Sequence, residues 1–293
     1  MEQMREISRR YGLGAVTAES VRRGTVAAVW RLRDGAGEYL LRTLTGPEQG
    51  EMERRIVRHL RSRGFSATPA ILETTDGSSM TEIGGTWYQL QTYRPGPRPD
   101  PAIPGMPERI AQLAAALTAA LDDCPAEGLL PDRFDLAALW ARGREGWEAL
   151  GLPMSLQEAD RAVAEAAALP AKERRVVHGD LGPWNMICTE EGELLVVDFG
   201  EAHLADPYFD LAAALGGLRN HCPGEKRDAA AAAFLSECEG LMPGLDRGRL
   251  LGQLRLWLWR GLAQCACWAG GPGPDWTAMA GTLYRSLSWT IPD

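Results

Sequence analysis

The chain has 293 residues, 45% of them hydrophobic and 24% charged, with a formal net charge of −8. These are the proportions of a globular protein. The acidic balance argues against a nucleic-acid partner, which would require a basic face, and no apolar run approaches the roughly 20 residues of a membrane helix.

The N-terminal stretch lacks the apolar core of a signal peptide. Cysteines 124, 188, 222, 238, 265 and 267 are scattered without a disulfide framework, and Cys265-Ala-Cys267 lacks a second pair that zinc would need. Reduced thiols in a cytoplasmic protein are the expectation. Lys172 and Lys226 are the only lysines, so 29 of the 31 basic residues are arginine, and neither lysine lies in the N-terminal third.

In chain order, residues 2–11 have the pattern of a short helix. Strands are expected over 16–21, 25–33 and 38–43, with Asp34-Gly-Ala-Gly37 as the turn between the last two. Residues 48–63 form an amphipathic helix with Met52, Ile56, Val57 and Leu60 on one face. Strand-like pieces follow around 70–73, 79–83 and 86–93, the last two joined by Gly84-Gly85. Six prolines from Pro95 to Pro107 then make a stiff connection. They divide residues 1–94, a small sheet with one helix inserted, from residues 95–293, which are mostly helical. Helices are expected over 107–121, 135–148, 155–169, 208–218, 226–238 and 247–266. The predicted class is α+β in two lobes, with a small antiparallel sheet in the first lobe.

One segment breaks the helical pattern of the second half. It reads His178-Gly-Asp180-Leu-Gly-Pro-Trp-Asn185, then Met186-Ile-Cys188, a polar turn ending at Gly192, and Leu194-Leu-Val-Val-Asp198-Phe-Gly200. Two apolar runs around a polar turn predict a hairpin. Asn185 stands just before its first strand and Asp198 just after its second, so antiparallel pairing brings them together at the open end. An amide oxygen and a carboxylate presented side by side suit Mg²⁺, a hard cation that completes its shell with water and phosphate oxygens. Asp180 lies upstream on a tightly turned loop containing Gly179, Gly182 and Pro183. There it is placed to accept a hydrogen bond from an acceptor hydroxyl and take its proton as a bond to phosphorus forms.

With these motifs the chain resembles, over nearly its whole length, the aminoglycoside phosphotransferase-like family of small-molecule kinases, which includes homoserine and choline kinases. His178 to Asn185 look like that family's catalytic loop, Val197 to Ala202 like its metal-binding segment, and Asp206 to Ala212 like the helix start that follows. The resemblance implies a protein-kinase-like two-lobed fold, with residues 1–94 binding nucleotide and 95–293 carrying the catalytic loop and acceptor site. It implies Asp180 as catalytic base, Asn185 and Asp198 as metal ligands, and His178 and Asp210 as residues that brace the loop. Glu38 to Arg42 match the strand that offers a basic residue to the ATP phosphates; with no lysine available, Arg42 is the candidate, its guanidinium suited to a bidentate grip. Glu53 matches its acidic partner, with Glu51 as a competitor half a turn away. The phosphate loop around Gly24 and Thr25 has one glycine where the family often has two, and Ala27 sits where asparagine is frequent. By position, the adenine hinge falls at Gln91-Thr-Tyr93.

The expected activity is transfer of the ATP γ-phosphoryl group to a hydroxyl of a small molecule, with Mg²⁺ as the metal and no nucleic-acid or membrane partner. An amino sugar, an amino alcohol or homoserine is the expected acceptor type. Trp257, in a leucine-rich helix, offers an aromatic face to a cation, and Glu201 and Asp206 are candidates for holding an amino group. Two rivals stand beside this reading. A protein kinase would need a long activation segment, yet Asp198 and Asp210 are only twelve positions apart. A kinase-shaped interaction protein without activity stays open because of the glycine-poor phosphate loop, while an intact Asp180, Asn185 and Asp198 argue against it.

Overall fold

The computed structural model describes residues 2–21, 27–169 and 173–289. It opens with helix α1 (Glu2–Arg10) and strands β1 (Thr17–Ser20), β2 (Val29–Arg33) and β3 (Glu38–Leu44). Helix α2 (Pro47–Ser62) follows, then β4 (Thr81–Ile83) and β5 (Thr86–Thr92). The five strands form one antiparallel sheet in the order β1-β2-β3-β5-β4. Residues around 70–73, expected as a strand, contribute a single bridge from Ile71 to Gln91.

Alternation along β3 and β5 sends side chains to two different environments. Leu41, Tyr88 and Leu90 join Ile7, Tyr11 and Leu32 in an apolar cluster that covers the sheet with α1. Arg42 and Gln89, directly opposite one another in the register, belong to the other face. There the Gln89 amide donates to the Gly50 carbonyl of α2 at 3.3 Å.

After β5 the proline-rich segment runs without regular structure to α3 (Met106–Leu121). Its path is held against the 186–196 hairpin: Cys188 N–H donates to Pro97 O at 2.9 Å, and Arg94 pairs with Glu193 at 2.6 Å. The remaining helices are α4 (Leu136–Gly143), α5 (Leu156–Ala167), α6 (Tyr208–His221), α7 (Arg227–Leu241), α8 (Arg247–Trp268) and α9 (Trp276–Leu287). Short strands β6 (Arg175–Val177) and β9 (His203–Ala205) pair with one another, and β7 (Met186–Cys188) pairs with β8 (Leu194–Val196). Helix α6 is buried on almost every side, packed by α3, α7, α8 and α9. Among the described residues no helix is long and apolar enough to cross a membrane.

One expectation needs correction and two elements were missed. The helix predicted over 135–148 ends at Gly143 and continues as 3-10 turns at Arg144–Gly146 and Glu148–Leu150. The reason is the close approach of α8: a Cβ on Gly143 would stand 2.7 Å from the Cys267 nitrogen and 2.8 Å from the Ala263 oxygen. Helix α9 was not expected, although Asp275 caps it by accepting from Ala278 N at 2.9 Å. The β6–β9 pair was also missed, because each strand is three residues long and its partner lies far along the chain.

Phe234 on α7 is fully buried in the helical core. Phe234→Ala leaves a cavity that cannot fully collapse, so urea denaturation should show a loss of about 3–5 kcal/mol.

Candidate active site

The predicted hairpin is present, with Met186 opposite Val196 and Cys188 opposite Leu194. Val197 N–H donates to Asn185 O at 3.0 Å, which extends the pairing by one step and places Asn185 beside the residue preceding Asp198. Asp198 has φ +67°, the one positive φ outside glycine among the described residues. Such a conformation costs on the order of 1–3 kcal/mol. It leaves the Asp198 side chain 56% exposed, with one oxygen 3.4 Å from Arg42 Nη1.

The loop ahead of the hairpin is held from below. Asp210, in the first turn of α6, accepts His178 N–H at 2.7 Å and Gly179 N–H at 3.0 Å. Burial pushes the Asp210 carboxyl above its usual range, and His178 with these two amides pulls it back. The His178 ring closes the loop onto the hairpin: Nε2 lies 3.0 Å from Val197 O, and Nδ1 accepts Asp180 N–H at 3.3 Å. These partners put the ring proton on Nε2. Gly179 has φ +85°, and a Cβ there would run into the Glu201 carbonyl and sit 2.8 Å from His203 Nδ1. Only glycine fits that turn.

The Asp180 carboxylate is oriented by two donors. Trp184 Nε1–H donates to Oδ2 at 2.9 Å, and the Asn185 amide nitrogen donates to the same oxygen at 2.8 Å. Burial raises the Asp180 carboxyl, the Trp184, His178 and Asn185 interactions lower it, and the Asp198 charge raises it again. With the Asn185 nitrogen turned towards Asp180, its amide oxygen faces away. That oxygen and the Asp198 carboxylate make a hard-oxygen pair suited to Mg²⁺. Among the described residues no group of three His, Cys, Asp or Glu side chains could hold a metal, so an ion here would draw its remaining ligands from water and phosphate.

Arg42 reaches this centre from the sheet. Its Nη2 donates to Glu53 Oε2 and to Gln89 Oε1, the latter at 3.0 Å, and Glu53 Oε1 accepts from Gln49 at 2.8 Å. Arg42 and Glu53 are both buried, so removing either leaves an unpaired charge at a cost of about 3–5 kcal/mol. Glu51 pairs instead with Arg54 and Arg55, which leaves Glu53 as the partner. Gly24 and Thr25 lie outside the described residues.

These groups line one cavity of about 1170 Å³. Gln91 and Tyr93 lie at its sheet side; Asp180, Asn185 and Asp198 lie at its centre. Its far wall comes from the helical lobe, where Trp257, Arg260, Gly261 and Gln264 follow one face of α8 at helical spacing. Trp257 stacks on Trp184 with ring centroids 6.2 Å apart and planes at 17°. Trp259, two residues on, is buried against Trp147 instead. Glu201 also lines the cavity, but Arg133 takes both its carboxylate oxygens. Asp206 does not line it. Its carboxylate is 1% exposed and bound by Arg249 at 2.8 Å, and it accepts Tyr208 N–H at 3.0 Å. The expectation that Asp206 meets an acceptor amine is therefore corrected: it caps the start of α6. Arg260, Gln264, Arg133 and Trp184 were not singled out from sequence; the i, i+3, i+4, i+7 spacing from Trp257 was the signal that would have found the first two.

Residues 17–251 match the sequence model of the phosphotransferase enzyme family. The chain belongs to that family. No curated protein matches it closely enough to add to the assignment. Solved structures of similar fold include an amicoumacin kinase in complex with AMP-PNP, Ca²⁺ and Ami, at 14% identity and TM-score 0.77, covering 98% of this chain and 92% of that one. An aminoglycoside phosphotransferase from Alicyclobacillus acidocaldarius superposes with TM-score 0.69 at 17% identity, covering 95% and 90%. A microcompartment-associated aminopropanol kinase does so with TM-score 0.69 at 12% identity, covering 98% of both chains. At these identities the likeness is one of fold, the two-lobed, protein-kinase-like fold of the phosphotransferase family.

Next to the metal segment, His203 offers a pH-dependent probe of the fold. Arginine only donates, so the 3.3 Å contact from Arg260 Nη1 makes His203 Nε2 an acceptor, and Nδ1 donates to Glu201 O at 2.8 Å. Burial lowers His203 from 6.5 to about 4, with Asp132 opposing and Arg260 reinforcing the shift. A folded-state value below the unfolded one means that this stability is present above pH 6.5 and is lost as pH falls towards 4. The full loss is about 3 kcal/mol. Thermal melts of His203→Gln should therefore fall less steeply than wild type between pH 6.5 and 5; parallel profiles would remove His203 from the acid response.

Proposed function

We propose that this phosphotransferase family member moves the γ-phosphoryl group of ATP to a hydroxyl of a small molecule. The reading rests on one observation above all: Asp180 and Asn185 from one loop, Asp198 from the end of the hairpin and Arg42 from the sheet line a single cavity. In this reading residues 1–94 hold the nucleotide, with Gln91 and Tyr93 at the adenine side, and residues 95–293 hold the acceptor.

Asp180 Oδ2 is taken by Trp184 and Asn185, which leaves Oδ1 to accept the hydrogen bond of the incoming hydroxyl. As the acceptor oxygen bonds to the γ-phosphorus, the bond from that phosphorus to the bridging oxygen breaks, ADP leaves, and the hydroxyl proton passes to Asp180 and then to solvent. Arg42, held by Glu53 and Gln89, steadies the phosphate oxygens. Asn185 and Asp198 would hold Mg²⁺, which when bound neutralises charge on the phosphates. His178 and Asp210 act through the loop, keeping Asp180 at its station.

A peptide acceptor fits less well. The twelve positions from Asp198 to Asp210 are used up by the Gly200–Glu201 turn, β9 and the Asp206 cap, leaving no chain for an activation segment. Amino sugars, amino alcohols and homoserine all carry a hydroxyl that suits the reaction.

Asp180→Ala should reduce turnover at least about 10³-fold, as loss of a positioned base does, while Mg-ATP affinity stays within about threefold by calorimetry. Asp198→Ala should lose the metal-dependent part of nucleotide binding as well. An ADP-release screen over hydroxyl compounds supplies the substrate for these measurements; near-normal turnover by Asp180→Ala would refute the assignment.

A further inference from the structure

The helical wall of the cavity carries charge in an unusual state. Among the described residues, four carboxylates line the cavity: Asp132, Asp180, Asp198 and Glu201. Two of them, Asp180 and Asp198, belong to the reaction centre. The other two are the ones an acceptor amine would need, and both are already engaged. Glu201 is held by Arg133 through both oxygens, and its side chain is 14% exposed. Asp132 Oδ1 accepts from Arg260 Nη2 at 3.0 Å, and its side chain is 24% exposed. Arg133 and Arg260 stand against these two, while Arg42 and Arg94, which also line the cavity, are taken up by Glu53 and Glu193. A cationic acceptor would have to displace a guanidinium or sit beside one, and like-charge juxtaposition of that kind rejects a ligand.

The aromatic groups do not form a closed cage for a cation. A cage needs ring faces converging on one point. Here Trp184 and Trp257 lie nearly parallel, at 17°, and stack on each other, while the His221 ring lies 5.4 Å from Trp184. Stacked on each other, the two indoles leave the outer face of the pair to serve as an apolar wall. Beside it on the same lining are the Gln264 and Asn220 amides and the free edge of His221, whose Nδ1 lies 2.8 Å from Gly217 O. A flat wall with a few amide and imidazole groups beside it is how a neutral, hydroxylated ring is bound.

Resting on the phosphotransfer reading above, we propose that the acceptor is an uncharged hydroxyl-bearing ring compound of glycoside or nucleoside type. It lies flat against the Trp257–Trp184 wall with one hydroxyl at Asp180, and polyamines and quaternary amines are excluded by the paired carboxylates. Arg133 and Arg260 thus act as specificity residues.

The test uses the full chain with Mg-ATP, and with Mg-AMP-PNP for binding. Two probe sets are compared by ADP release and tryptophan fluorescence: methyl and phenyl glycosides with uncharged nucleosides, against kanamycin and choline. The uncharged set should contain acceptors whose kcat/KM exceeds that of the cationic set by at least about tenfold. Trp257→Ala should raise KM for them about tenfold or more, with kcat changed less, as lost ground-state stacking requires. Arg133→Ala, where the change frees Glu201, should improve kcat/KM for kanamycin about tenfold relative to the uncharged acceptors; no change in that ratio counts against the proposal. Preference for kanamycin or choline by the wild type, or binding of neither set while Mg-ATP binds, overturns the proposal and spares the phosphotransfer reading. Failure of Mg-ATP itself to bind overturns both.

Discussion

The site depends on one buried carboxylate. Asp210 sits in the first turn of the most enclosed helix of the protein and accepts two successive backbone amides of the catalytic loop. A carboxylate without those donors would be costly at that depth, and the amides without it would be orphaned. Each therefore holds the other, and the loop takes its shape from a helix packed by α3, α7, α8 and α9. The left-handed turn at Gly179, the ring of His178 and the direction of Asp180 all follow from that anchorage.

From the anchored loop the order passes outward through hydrogen bonds. His178 ties the loop to the hairpin at Val197. Trp184 and Asn185 fix one oxygen of Asp180 and leave the other open. Asp198, in a conformation few residues adopt, is turned out towards the cavity, where Arg42 meets it from the sheet. Arg42 is itself set by Glu53 and Gln89, so the two halves of the site are registered against one another by charge-assisted hydrogen bonds. In a chain almost without lysine, planar guanidinium groups perform this registration throughout, including the two that occupy Asp132 and Glu201.

Elements with a strong local pattern were legible in the sequence. The hairpin that brings Asn185 to Asp198, the amphipathic face of α2 and the strands carrying Arg42 and Gln91 all follow from periodicity and turn chemistry. The preference for Glu53 over Glu51 was not decidable locally, since both lie on the same helix; it follows from which one faces Arg42. The β6–β9 pair escaped notice because three residues carry no period, and helix 135–148 was drawn too long because its break comes from contact with α8. Asp206 had the right charge and a promising place in the sequence, yet packing gave it to Arg249.

By itself the sequence determined the grouping of Asp180, Asn185 and Asp198. The loop, the hairpin and their spacing are local in the chain, and a turn of eight residues followed by a hairpin can only bring Asp180, Asn185 and Asp198 to one end. What only the tertiary structure decided is which carboxylates of the cavity are already paired. Arg133 and Glu201 are 68 positions apart and Arg260 and Asp132 are 128 apart. Whether a carboxylate is open to a ligand or already occupied by an arginine depends on contacts that form when the helices pack. Residue identity supplies the charges; only the packing shows which of them are already neutralised.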